Sequence, residues 1–305
     1  MTTPIEVSGL TKTFGRHRGI DDVSFTVQRG EVFGFLGPNG AGKSTTIRLF
    51  LGLYHPTAGH VRVLGHDPVA DPVAVHRVVG YLPGELALFP RMTGRQHLEW
   101  FARGRGITDL TLRDELVERF GAELDRPVRT LSKGNRQKIG LILAFFHRPE
   151  LLVLDEPTSG LDPLLQDEFD HLVRETVADG RTVFLSSHEL DEVQRVADRV
   201  AIIKDGRLVL VDTVEGLRGS APRTVEFQFD RPVEAGAFTG LTGVQVISHQ
   251  DGRTRLTLTG PVGPLLRVAA DLDPVDMTAR PADLDELFLG YYRPGATPAR
   301  TGDPR

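Results

Sequence analysis

The chain has 305 residues, of which 40% are hydrophobic and 25% are charged, and it contains no cysteine. These proportions are typical of a folded globular protein, and the lack of cysteine excludes disulfides and thiolate metal sites. The net charge of −5 gives no general reason to expect a nucleic acid partner. The first residues lack the pattern of a secretory signal, and the longest uncharged run, residues 235–250, is too short and too polar to span a membrane. We therefore expect a cytoplasmic protein.

The first third of the sequence predicts strands and then helices. The expected strands are rich in β-branched and aromatic residues and alternate with turns at Gly15, Gly19 and Gly30; they are Ile5–Val7, Val23–Val27 and Glu31–Leu36. Helical spacing follows from Thr45 to Leu53, and a helix-rich stretch runs from about Thr93 to Glu123. We predict an inserted helical subdomain at about residues 84–148.

Two compact apolar runs follow, Leu151–Leu154 and Thr182–Leu185. Continuous hydrophobicity of this length is typical of strands that are buried on both faces of a parallel sheet. Residues 166–178 between them have helical spacing and the length of a crossover helix. The pattern indicates an α/β core.

After about residue 220 the pattern becomes strictly alternating, as in half-buried antiparallel strands. The predicted elements are strands at 224–230, 244–247 and 253–259, a hairpin turn at Asp251-Gly252, and short helices near Leu265–Leu272 and Ala282–Tyr291. These elements predict a small α+β domain at residues 220–292, followed by a flexible tail at 293–305 that is rich in proline and glycine.

A complete P-loop pattern lies at Gly37–Thr45, directly after the strand Val32–Leu36 and before a helix. Its glycines let backbone N–H groups surround phosphate, and the helix N-terminus adds partial positive charge. Lys43 is expected to reach the β- and γ-phosphates, and the Ser44 hydroxyl to ligate Mg²⁺. The predicted ATP-binding residues of the loop are Gly37, Asn39, Gly40, Gly42, Lys43, Ser44 and Thr45.

Two adjacent carboxylates, Asp155 and Glu156, end the apolar run that begins at Leu151. Ligands of open α/β sheets bind at this edge of the strands. Asp155 is suited to hold Mg²⁺, and Glu156 is suited to polarise the water that attacks a phosphate. Without the P-loop, the same pair would be as often an ordinary solvated strand end as a functional site.

Several motifs in order make residues 5 to about 217 resemble the ATP-binding subunit of an ABC transporter. Leu131–Gln137 is similar to the family's signature motif. Its Ser132 lies 23 residues before Asp155, which is the spacing found in the family. Ser159-Gly160-Leu161-Asp162 resembles the D-loop, and Ser186-Ser187-His188-Glu189 resembles the histidine switch. Phe14 matches the aromatic residue that stacks on adenine.

The resemblance implies a P-loop NTPase cassette at residues 1–219 with ATP and Mg²⁺ as cofactors. Ser132 and Gly134 would contact the nucleotide of a second cassette, Asp162 would act in the D-loop, and His188 would assist Glu156 in catalysis. Lys133 stands where the family usually has glycine, and Asn135 where it has glutamine. Taken one by one, Phe14 and His188 could be packing residues and Ser132 a simple helix cap.

A further strand is expected at Val78–Tyr81, just before a departure from the family's pattern. The departure concerns the residue after Gly80-Tyr81-Leu82-Pro83. The family usually has a glutamine there, whereas this chain has Gly84 followed by Glu85. Either Glu85 replaces the glutamine as a ligand of the metal or of water, or the coupling runs through the loop backbone. The third alternative is a solvated Glu85.

Three functions are compatible with a P-loop in a chain of this kind. The favoured one is an energy-coupling ATPase that dimerises, binds a separately encoded membrane permease at the inner face of the membrane and resembles exporters of drugs, antibiotics or lipids. The alternative is an ABC-type ATPase that acts on ribosomes or DNA. Such proteins usually carry paired cassettes, long coiled coils or zinc-binding cysteines, whereas this sequence has one P-loop, no long heptad run and no cysteine. An unrelated P-loop kinase or GTPase would leave residues 131–137 and 186–189 unexplained. The transported molecule is not determined by the sequence.

Overall fold

A computed structural model of the protein describes residues 2–220, 222–231, 233–250 and 252–280. The predicted helix at 282–291, the predicted tail at 293–305 and Asp251 of the predicted hairpin turn lie outside these residues. Packing divides the described chain into two compact units, residues 2–211 and residues from Asp212 onward. No helix in the described part has the length and hydrophobicity needed to cross a membrane.

The first unit contains two sheets. Its strands are β1 (Ile5–Phe14), β2 (His17–Val27), β3 (Val32–Leu36), β4 (Ala58–Val63), β5 (Val79–Leu82), β6 (Leu151–Asp155), β7 (Thr182–Ser187), β8 (Arg199–Lys204) and β9 (Arg207–Thr213, which runs into the second unit). A six-stranded sheet has the order β5-β6-β7-β3-β8-β9, and an antiparallel sheet has the order β2-β1-β4. β6 and β7 pair in parallel, as their hydrophobic runs predict.

The core of the first unit lies between these two sheets. Phe25 on β2 stacks on Phe33 of β3 at 5.3 Å between ring centroids, and it also meets Phe184 of β7. All residues of β3, β6 and β7 are buried. Because the P-loop and the paired carboxylates follow β3 and β6, this rigid core places both at one edge of the sheet.

The helices of the first unit are α1 (Lys43–Phe50), α2 (Pro72–Val78), α3 (Gly94–Arg105), α4 (Thr111–Phe120), α5 (Lys133–Phe145), α6 (Pro163–Ala178) and α7 (Leu190–Val196). A side chain caps the start of α2, α3, α5 and α6. α3 starts with a capping box between Thr93 and Gln96, and it lies with α4 in the region predicted to be helical. Ser132 caps α5 by accepting a hydrogen bond from the backbone N–H of Asn135.

Two local predictions are wrong. Gly19, expected in a turn, lies inside β2, because the turn that joins β1 to β2 is made at Gly15 and Arg16. Val78, expected at the start of a strand, ends α2. The helix forms because the Asp71 side chain accepts a hydrogen bond from Ala74 N–H and Pro72 occupies the first turn.

The second unit is a four-stranded antiparallel sheet with helices. Its elements are α8 (Val214–Ser220), β10 (Arg223–Gln228), β11 (Val244–Gln250), β12 (Arg253–Leu258), α9 (Gly263–Leu272) and β13 (Asp276–Arg280), with sheet order β11-β12-β10-β13. β11 and β12 pair with Gln250 opposite Arg253. Phe227 stacks on Phe238 at 5.8 Å in a core of its own.

Candidate functional site

The P-loop connects β3 to α1 and holds its lysine close to its own backbone. Gly42 has φ +112°, a conformation that glycine adopts without the strain of a side chain, and no side chain caps α1. Lys43 is only 6% exposed, and its ammonium donates to the carbonyl oxygen of Gly37 at 2.6 Å. The N–H groups at the start of α1 are therefore available to an anion.

Asp155 and Glu156 sit at the end of β6 in different environments. Asp155 is buried, and its Oδ1 accepts a hydrogen bond from Ser186 Oγ at 2.5 Å. Glu156 is in the left-handed region with φ +52°, which costs a non-glycine residue about 1–3 kcal/mol and is most often found at functional sites. This turn directs the Glu156 side chain toward the P-loop.

Glu156 connects the P-loop to the histidine that follows β7. Its Oε1 lies 3.1 Å from Lys43 Nζ, and its Oε2 lies 2.7 Å from His188 Nδ1. Because a carboxylate only accepts hydrogen bonds, Nδ1 of His188 carries a proton. A lysine, a glutamate and a histidine thus form one continuous polar chain.

A cleft of about 560 Å³ opens over these residues. Its lining contains these residues predicted from the sequence: Phe14, Asn39, Gly40, Gly42, Lys43, Ser44, Thr45, Asp155, Glu156 and His188. Gly37 is not among the lining residues, but its carbonyl positions Lys43. Four other predicted residues, Glu85, Ser132, Gly134 and Asp162, do not line the cleft.

Phe14 lies at the outer end of the cleft and is 43% exposed. The Tyr54 ring packs edge-on against it at 5.3 Å, and the ammonium of Lys12 lies 5.2 Å from its ring centroid. An aromatic ring that is partly exposed at the cleft has surface available for stacking, as an adenine platform requires. The stacking role itself stays a prediction.

Ser132 and Asp162 each begin a helix. Ser132 Oγ accepts from Asn135 N–H at 3.1 Å, and Asp162 Oδ1 accepts from Leu165 N–H at 3.1 Å. Both side chains therefore act as helix caps within this chain. Contact with the nucleotide of a second cassette stays a prediction for Ser132, Gly134 and Asp162.

Gly84, not Glu85, lies against the metal-binding candidate. A Cβ placed on Gly84 would be 3.3 Å from Asp155 Oδ2, and Gly84 lines the cleft. Glu85 is exposed and is not a lining residue. This geometry favours the loop backbone over the Glu85 carboxylate as the part that meets the site, while the role of Glu85 stays a prediction.

The donor set of the cleft fits Mg²⁺ bound together with a nucleotide. The Ser44 hydroxyl and the Asp155 carboxylate are hard oxygen ligands, and Mg²⁺ keeps several waters and takes substrate phosphates as ligands. Among the described residues, no group of three or more histidine, aspartate or glutamate side chains is placed to hold a metal alone. Burial and the nearby charge of Asp155 raise the pKa of Tyr81 to about 12, so this neighbour of the site stays protonated.

The structure adds lining residues that sequence reasoning did not select. Arg18, Gly19, Pro38 and Ser159 line the cleft. Arg18 pairs with Thr13 in the hairpin of β1 and β2, beside Phe14. The turn signal at Gly15 could have indicated this neighbour, because a hairpin brings residues on either side of its turn together.

Known proteins resemble this chain over most of its length. The ABC transporter family profile matches residues 20–159. The chain is 36% identical over 305 residues to the daunorubicin resistance ATP-binding protein DrrA3 of Streptomyces coeruleorubidus, covering 94% of this chain and 95% of that protein. It is 33% identical over 299 residues to the bacitracin transport ATP-binding protein BcrA of Bacillus licheniformis, covering 95% and 97%.

A solved structure shares the fold. It is a dimeric ATP-binding cassette in a post-hydrolysis state bound to ADP and Pi, with a TM-score of 0.63 and 20% identity, covering 69% of this chain and 98% of that one. The cassette fold predicted from the sequence is confirmed. The chain therefore belongs to the ABC transporter family as an ATP-binding subunit that hydrolyses ATP.

Proposed function

We propose that this ATPase energises the export of antibiotic, drug or lipid-like molecules through a separate membrane permease. The observation that carries the proposal is the chain from Lys43 through Glu156 to His188, beside Ser44 and Asp155 in one cleft. Two relatives that align with nearly the whole chain are named for bacitracin transport and daunorubicin resistance. The same relatives favour transport over the alternative function on ribosomes or DNA.

Glu156 acts as the general base in the proposed reaction. Its carboxylate accepts a proton from the water that attacks the γ-phosphate, while the His188 N–H keeps it oriented. Lys43 stabilises the charge that develops on the phosphate oxygens, since it is buried and its ammonium is a compact point charge. When bound, Mg²⁺ would supply further positive charge to the phosphates, held by Ser44 and Asp155.

Two copies of the chain are proposed to form the working unit. The signature residues Ser132 and Gly134 lie outside the chain's own cleft, as contact with the nucleotide of a second cassette requires. The solved cassette of the same fold is dimeric. Closure of two cassettes on two ATP molecules would convert binding into movement of the permease.

The second compact unit is proposed to be an accessory domain, within the predicted bounds of residues 220–292. It contains its own hydrophobic core around Phe227 and Phe238. The sequence of this unit carries no phosphate-binding motif. It would support the dimer or regulate coupling to a permease at the inner face of the membrane.

The decisive experiment is coexpression with a membrane protein that copurifies with this chain. Inside-out vesicles that contain both proteins should take up a fluorescent anthracycline or bacitracin in an ATP-dependent manner. Vesicles with Glu156→Gln serve as the control and should take up neither. ATP-independent uptake, or intact hydrolysis without uptake of any amphiphilic probe, would contradict export.

A further inference from the structure

Lys133 occupies an electrostatically unfavourable position at the start of α5. It is the first residue of the helix, and the first turn contains no acidic side chain. The N-terminus of a helix carries partial positive charge, so a lysine there is repelled. The lysine that stands in place of the family's usual glycine therefore does not stabilise α5.

The side chain of Lys133 reaches to the loop that follows β6. Its ammonium donates to Ser159 Oγ at 2.9 Å, and its aliphatic carbons run 3.4–3.6 Å from where a Cβ on Gly160 would be. Ser159 lines the nucleotide cleft. The lysine thus links the signature helix to the chain's own ATP site.

Two further contacts join α5 to this loop. A Cβ on Gly134 would lie 2.8 Å from the carbonyl oxygen of Gly160, so only glycine allows this close approach. Gln137 is buried, and its Nε2 donates to the carbonyl oxygen of Pro157 at 2.8 Å. The beginning of α5 therefore holds both ends of residues 157–160.

The loop is continuous with the proposed base. Ser159 N–H donates to the carbonyl oxygen of Glu156 at 3.2 Å, and Glu156 holds a strained backbone conformation with φ +52°. Such a conformation persists only when its surroundings hold it in place. A tether on Ser159 is one of the contacts that can do so.

We propose that Lys133 is a positioning residue for ATP hydrolysis. Its hydrogen bond to Ser159 holds the loop against α5 and thereby keeps Glu156 oriented toward Lys43 and the attacking water. This rests on the proposed role of Glu156 as base. The ammonium of Lys133 thus binds a loop of its own chain.

The test is a double-mutant cycle in the full-length protein, with steady-state ATP hydrolysis as the readout. Lys133→Met keeps the aliphatic stem and removes the donor, whereas Ser159→Ala removes the acceptor. Each is expected to lower kcat about three- to tenfold with KM within about twofold. The double variant should lose no more than either single variant.

Two controls sharpen the cycle. Lys133→Arg keeps a charged donor and should restore most of kcat. Lys138→Met changes a lysine on the same helix whose ammonium is directed to the carbonyl oxygen of Gly121, and it should leave kcat unchanged. Thermal unfolding of each variant is expected to match that of the wild type, so the loss in kcat reports on positioning.

Three outcomes would overturn the proposal: additive losses in the double variant, a rise in KM without a fall in kcat, or an unchanged kcat in Lys133→Met.

A further experiment distinguishes failure of the positioning role of Lys133 from failure of the proposed role of Glu156. In a Glu156→Gln background Lys133→Met should cause no additional loss, and an equal additional loss would show that Lys133 acts independently. Full hydrolysis by Glu156→Gln alone would instead refute the base. Export itself is not needed for any of these measurements.

Discussion

The ammonium of Lys43 lies 3.1 Å from Oε1 of Glu156, so the phosphate-binding cation and the proposed base form an ion pair across the cleft. Lys43 is buried and the Glu156 side chain is one-fifth exposed, so this pair is only partly screened by water. A nucleotide phosphate must share Lys43 with Glu156 when it binds. The pair therefore links nucleotide affinity to the charge on the base.

Glu156→Gln is expected to bind ATP more tightly and to hydrolyse it far more slowly. The neutral amide neither competes for Lys43 nor repels phosphate, so Kd should fall about three- to tenfold. Loss of a general base should lower kcat by about 10²–10⁴-fold. Calorimetric titration with ATP and a phosphate-release assay measure both effects. Wild-type turnover would refute the role of Glu156.

Lys43→Met is expected to weaken ATP binding by about ten- to a hundredfold, because hydrogen bonds to charged groups contribute about 1.5–3 kcal/mol. The change also leaves the Glu156 carboxylate without its cationic partner, which adds repulsion toward phosphate. A fluorescent ATP analogue measures the affinity. Lys138→Met, outside the cleft, is the matched control. Equal affinities in the two variants would contradict the P-loop assignment.

The Gly84-Glu85 loop is tested by comparing substitutions at both positions. Gly84 lines the cleft beside Asp155 and Glu85 does not, so we expect Gly84→Gln to change the Mg²⁺ concentration for half-maximal hydrolysis more than Glu85→Ala does. Gly84→Ala is the matched control, because it adds the Cβ without an amide. A larger effect of Glu85→Ala would identify Glu85 as the ligand that replaces the family's glutamine.

His147 makes the stability of the protein depend on pH. Burial and then the nearby charge of Arg105 lower the pKa of His147 from 6.5 to about 4. Between these values the unfolded chain binds a proton at His147 that the folded chain does not. The contribution of His147 to stability therefore falls as pH decreases from about 6.5 toward 4, and it is constant above that range. At pH 5 the loss should be about 2 kcal/mol.

The measurement is urea unfolding of the wild type and of His147→Gln at pH 7.5 and pH 5. Glutamine does not titrate in this range, so the variant should lose less stability than the wild type on acidification. Other titrating groups contribute equally to both proteins, and the difference isolates His147. Parallel losses in the two proteins would show that folding does not lower the pKa of His147.

A chain that ends at Gly219 is expected to fold and to bind ATP. The core between the two sheets of the first unit is formed by buried residues from Ile5 to Ile203, such as Phe25, Phe33 and Phe184, none of which is removed. Circular dichroism and ATP titration compare it with the full-length protein. Aggregation of the shortened chain would place the domain boundary elsewhere.

The sequence by itself determined those features that depend on which residues follow one another within a short segment. The P-loop at 37–45 is a run of residue types in fixed positions, and the strands β6 and β7 follow from continuous hydrophobicity, so both could be predicted. The alternating pattern after residue 220 likewise predicted the antiparallel strands β10 and β12. Periodicity is a property of the chain alone, because it reflects how often a side chain returns to the same face.

Only the tertiary structure decided which of these residues meet. Lys43 and Glu156 come together because β3 and β6 end at the same edge of one sheet, separated in it by β7. The link from Lys133 to Ser159 depends on how closely α5 packs against a loop. Contact between residues that are distant in the sequence is set by strand order and packing, and no local pattern of residue types encodes the distance between two side chains.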